Sequence, residues 1–185
     1  MKRTAQRGFT MIELIVVIVI LGILASVALP RLTNMQRDAR IAKLNAARGS
    51  VAAAAAMVHG AALARAGVNP QPACPATGTV PNATAAGGGT ICTETGLVNI
   101  INHYPQATGT TAQNGGIVTA AGLVPVGAAL ATENYAVAGG GGGAGAVLTI
   151  QVTGGTLAAN CSFTYTAPQQ PGRAATVSAA TTTGC

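Results

Sequence analysis

From Phe9 to Leu29 the chain runs through 21 residues with a single charge among them, Glu13. As a helix this run is about 31 Å long, enough for a ~30 Å hydrocarbon layer. Lys2, Arg3 and Arg7 precede it. A carboxylate is a costly group to place in lipid, so Glu13 constrains what the run can be. A secretory signal peptide would have this basic front and apolar run, with Ser26 and Ala28 permitting cleavage after Ala28. A plain membrane anchor would have the same length. Both readings leave Glu13 without a purpose. A third reading cuts the chain between Gly8 and Phe9. Phe9 then carries a new α-amino group, mostly cationic, with a reference pKa of ~7.7–8.0. Glu13 lies four residues on, along the same helical face, and gains a partner charge in its own chain or in a neighbour.

The residues of that third reading carry a resemblance. The basic leader, then Gly8-Phe9-Thr10-Met11-Ile12-Glu13, then an apolar helix closing on Ala28-Leu29-Pro30, resembles the type IV prepilin family. Gly8, Phe9, Glu13, Gly22 and Pro30 all fall where that family has them. The family includes pilins and the pseudopilins of type II secretion. The resemblance implies cleavage after Gly8 by a membrane prepilin peptidase and N-methylation of Phe9. It also implies that Glu13 pairs with the amino terminus of an adjacent subunit during filament assembly.

The helix is expected to continue beyond the apolar run. Pro30 lacks a backbone donor and meets the carbonyl of Ser26, so a bend is expected there, with Gly22 a second weak point. From Arg31 to Ala66 the chain is rich in alanine and free of proline. Leu32, Met35, Ala39, Ala42 and Ala46 recur at helical spacing. So do Ile41, Leu44, Val51, Ala55 and Val58, with Arg48 filling one place in the row. Two stripes on roughly opposite faces suit a helix packed on two sides, one against the chain's own head and one against neighbouring helices. Gly67 and Pro70 end it. The whole stretch, residues 9–66, would make about 87 Å of helix.

Basic residues cluster in this first third: Arg31, Arg37, Arg40, Lys43 and Arg48 follow the apolar run, relieved by Asp38. From Gly67 to Cys185 Arg173 stands alone against Glu94 and Glu133. The basic character therefore belongs to the first third of the chain, and the weakly acidic head argues against nucleic-acid binding. The helix bases read as a solvated face, with the filament interior or anionic lipid headgroups as the sharper alternative. Counting bases on either side of the span does not settle its orientation.

The cysteines do better. Cys74, Cys92, Cys161 and Cys185 all follow the export-like segment, which argues for two disulfides in an oxidising compartment. Three connectivities are possible. The neighbours in sequence, Cys74–Cys92 and Cys161–Cys185, are the preferred pairs. No C-x-x-C spacing and no nearby histidine points to a metal. The leader is accordingly read as cytoplasmic and the remainder as exported.

The head, residues 67–185, is poor in large side chains and rich in glycine, alanine and threonine. Residues 69–96 read as a Pro-, Thr- and Gly-rich loop, and Leu97–Tyr104 as a helical turn or a strand. Ile117–Val126, Asn134–Ala138, Ala146–Val152, Cys161–Thr166 and Ala175–Ala180 read as strands between turn-formers. The expectation is an α+β fold: a leader (1–8), an apolar helix half (9–30), an amphipathic helix half (31–66) and a small antiparallel head, as the prepilin resemblance also implies.

No other motif carries chemistry. Gly139–Gly143 lacks the lysine and helix of a phosphate loop and reads as a flexible hairpin loop. His59 and His103 have no nucleophile or carboxylate arranged with them. Asn82-Ala83-Thr84 and Asn160-Cys161-Ser162 match the glycosylation sequon, a short pattern that arises often by chance. No catalytic residue, cofactor or small-molecule substrate is expected. The expected role is a structural subunit of a type IV pilus, with the inner membrane, prepilin peptidase, the assembly machinery and copies of itself as partners, first membrane-bound and then extracellular. A pseudopilin is the alternative. Ala39–Leu44 and the alanine-rich helix after it look like adhesive pilins of the mannose-sensitive haemagglutinin type. A displayed binding module for a host surface or DNA is the reading from another class.

Overall fold

The computed structural model describes residues 9–65, 83–85, 88–94, 96–109, 111 and 114–185. Gly8, Cys74 and the Asn82 sequon position lie outside the described residues. A long helix, α1 (Met11–Ala64), opens the chain. It runs through Gly22 and Pro30 as unbroken helix. Two compact units are present, Met1–Ala39 and Arg40–Cys185.

In the first unit every described side chain is exposed to solvent. The stretch is long and apolar enough to cross a membrane by length and composition. In the second unit Leu44, Ala47, Val51, Ala54, Ala55, Val58 and Ala62 are buried. Their spacing of three and four is the period of a helix that buries one face. The expected row of Leu44, Val51, Ala55 and Val58 is therefore the core face. Ile41 is half-buried and Arg48 exposed. Leu32, Met35, Ala39, Ala42 and Ala46, the other expected row, are all exposed.

The head holds two sheets. The first comprises β1 (Ala83–Ala85), β2 (Gly88–Thr93), β3 (Gly96–Ile101), β4 (Tyr104–Pro105) and β5 (Asn114–Gly115). They run in the order β1-β2-β3-β4, with β5 pairing parallel to β3. A short helix, α2 (Ile117–Ala120), follows. The second sheet is an antiparallel meander of β6 (Tyr135–Gly139), β7 (Val147–Val152), β8 (Ser162–Thr166) and β9 (Thr176–Val177).

Three expectations need correction. Part of 69–96 is strand rather than loop: β2 pairs with β3, and Ile91 on it is fully buried. The apolar run Ile117–Val126 starts as a helix, not a strand, because Ala120 and Ala121 hydrogen-bond back to Gly116 and Ile117. Ala175–Ala180 supplies only a two-residue strand.

The alternation of β7 (Leu148, Ile150 and Val152 buried) sets one face of the second sheet inward. With Phe163 and Tyr165 of β8 it forms a core shared with Leu44, Ala47, Val51, Ala54 and Ala55 of α1. Further along, Val58 and Ala62 pack with Ile91, Val98 and Ile100 of the first sheet. One helix face thus serves both sheets in turn.

Gly139–Gly143 is a junction rather than a free loop. Gly141 forms an antiparallel bridge with Ala107 and donates to its carbonyl at 2.8 Å. Gly140 has φ +93°, and a Cβ there would lie 2.5 Å from the Ala107 carbonyl oxygen. The glycines let the β6–β7 hairpin lie against the segment that leaves the first sheet.

A candidate assembly segment at the N-terminal helix

Thr10 precedes the first helical residue, Met11, and Glu13 is the third residue of the helix. The Thr10 backbone N–H donates to Glu13 Oε2 at 2.8 Å, and the Thr10 hydroxyl donates to the same oxygen at 2.7 Å. The Glu13 backbone N–H returns a bond to Thr10 Oγ1 at 3.3 Å. This is a capping box: each residue satisfies a donor that the helix start would otherwise leave open. The carboxylate also lies in the first turn, where the helix dipole favours negative charge. Glu13 is therefore provided for within its own chain, a role the sequence reading missed. The Thr-x-x-Glu spacing carried the signal.

Around this cap the surface is apolar. Phe9 is 93% exposed, and Ile12, Leu14, Val16 and Val17 are all exposed. A stretch apolar all round, with its described side chains exposed, is suited to lipid or to other helices.

Of the helix bases in the second unit, Arg40 and Lys43 are half-buried and Arg48 and Arg65 exposed, and all four reach main-chain oxygens of the head. Arg40 Nε donates to the Cys185 main-chain oxygen at 2.6 Å, and Arg48 Nε to the Ser178 carbonyl at 2.7 Å. Arg65 reaches the Cys92 carbonyl at 3.2 Å. Lys43 donates to the Glu133 carbonyl, lies 4.0 Å from its carboxylate and sits 4.6 Å over the Tyr135 ring. These bases fasten the head to the helix through main-chain oxygens.

Cys161 and Cys185 form a disulfide, as the preferred pairing had it, and Cys92 is disulfide-bonded too. His59 stacks on Tyr104 with ring centroids 4.1 Å apart, and its Nδ1 lies 3.3 Å from the His103 carbonyl oxygen. That geometry joins the helix to the β3–β4 turn. Among the described residues no group of histidine, cysteine or carboxylate side chains is placed to hold a metal.

Residues 3–29 match the family model described as the prokaryotic N-terminal methylation motif. This part of the chain is a prepilin-type segment. Over 32 residues the chain is 62% identical to a type II secretion system core protein G of Klebsiella michiganensis, covering 17% of this chain and 22% of that protein. Over 56 residues it is 48% identical to the protein of the same description from Pseudomonas aeruginosa, covering 30% and 37%. The chain thus spans well under half the length of these relatives. No solved structure matches it.

Proposed function

We propose that the chain is a structural subunit of a type IV pilus, made as a precursor and polymerised through its N-terminal helix into a surface filament. The observation that carries this reading is the prepilin-type segment with its apolar run, residues 9–29, whose side chains are all exposed. Prepilin peptidase cuts after Gly8, Phe9 is methylated, and the helices leave the membrane to bury their apolar surfaces against one another. Glu13 exchanges part of its local cap for the amino terminus of a neighbouring subunit, which sets registry. The role is structural, without catalysis.

The two core protein G relatives favour a second reading, a pseudopilin. The intact mass of protein sheared from cells, without reduction, tests both. A chain beginning at Phe9 with one added methyl, recovered from the sheared filaments, supports the pilus. The same species confined to the membrane fraction supports the pseudopilin. A chain beginning at Leu29 overturns both. Glu13→Ala is expected to be processed normally yet to give few filaments. A wild-type filament yield would remove the registry role.

A further inference from the structure

The helix bases fall into two groups. Arg40, Lys43, Arg48 and Arg65 are spent on main-chain oxygens of the head. Arg31 and Arg37 lie in the first unit, are exposed, and make no hydrogen bond or ion pair among the described residues. They follow directly on the apolar run that ends at Leu29.

We propose that Arg31 and Arg37 hold the phosphate groups of anionic phospholipids at the exported face of the membrane before assembly. The inference rests on the precursor reading above. If the apolar run fills the hydrocarbon, Arg31 lies about 3 Å and Arg37 about 12 Å beyond its end along the helix. The headgroup layer occupies roughly 5–7 Å on each side of the hydrocarbon. Helical side chains lean toward the helix N-terminus, here back toward the membrane. A long arginine stem therefore brings the Arg37 guanidinium down into the headgroups, while Arg31 sits within them. Six residues at 100° each set the two on different flanks of the helix, so they address separate lipids. Guanidinium binds phosphate oxygens in a bidentate fork. Asp38, exposed on the same turn, subtracts from the local charge without cancelling it.

The test reconstitutes the full chain into vesicles of phosphatidylcholine and phosphatidylglycerol. The readout is the preference of spin-labelled phosphatidylglycerol over phosphatidylcholine for the protein surface. The leader bases Lys2, Arg3 and Arg7 are the same in every variant and set a constant background. The affinity for phosphatidylglycerol at each site should fall about fivefold when its arginine is replaced, so the preference drops in Arg31→Gln and in Arg37→Gln and reaches that background in the double variant. Arg31→Lys/Arg37→Lys should restore most of it, and Arg173→Gln, an equal loss of charge in the head, should leave it unchanged. An inserted double variant with wild-type preference would overturn the proposal, more so if its filament yield fell, since the bases would then serve subunit contacts. Failure of the wild-type chain to insert at all would overturn the membrane reading together with it.

Discussion

Gly140 and Tyr165 show what single residues settle in the head. At Gly140 a side chain meets both a left-handed backbone and the Ala107 carbonyl. Gly140→Ala is expected to destabilise the head by about 1–3 kcal/mol in urea unfolding of the detergent-solubilised chain. Gly143→Ala, with open space around it, should stay within about 0.5 kcal/mol of wild type. Tyr165 is buried and donates to the Pro105 carbonyl at 2.7 Å. Burial pushes its phenol pKa well up, with a smaller contribution from Tyr104. The folded head thus holds this proton more tightly than the unfolded chain does. Its stabilising share is complete below the unfolded pKa of about 10 and is lost as pH rises above that. Tyr165→Phe should cost about 1–2 kcal/mol at neutral pH and flatten the alkaline fall in unfolding free energy. The two residues differ in how far the sequence announces them. A five-glycine run signals a turn but not what the turn rests on. A tyrosine's acceptor, a main-chain carbonyl, leaves no mark in sequence at all. The same is true of the oxygens bound by Arg40, Lys43 and Arg48, and so these bases read as a solvated face. Glu13 is the opposite case, since its capping partner stands three residues away in plain sequence.

Among the elements, the long helix was the most legible. Its period of three and four distinguishes a core row from an exposed row because each buried position repeats the same demand. The core row uses alanine at 47, 54, 55 and 62, which lets the sheets approach closely. Ala54→Leu should therefore overpack the helix–sheet contact and cost about 1–3 kcal/mol. Ala46→Leu, on the exposed row, should leave unfolding unchanged, and any loss of filaments in that variant would assign the row to subunit packing. The short elements were less legible. Ile117–Ala120 is β-branched at its start and only four residues long, too short for a helical period to show. In β2 glycine and threonine dominate, and of its residues Ile91 and Cys92 are buried, on opposite faces of the strand. Pairing with β3, rather than any local pattern, makes it a strand.

For the molecule as a whole, the α+β class follows from an apolar helix, a second helical stretch with one inward face, and short β-rich runs punctuated by glycine and proline. Division of the head into two sheets was not legible, because it depends on which strands pair. The Cys161–Cys185 bridge closes a separation of 24 residues, and Cys161→Ser/Cys185→Ser should cost about 3–4 kcal/mol of head stability, read by unfolding with and without reductant. That bridge also makes β8 and β9 part of one covalent ring, since Cys161 precedes both strands and Cys185 follows them. When the two-residue β9 lets go of β8 it stays tethered beside it. A protease cut between the two cysteines would leave both pieces joined, and they would separate only on addition of reductant.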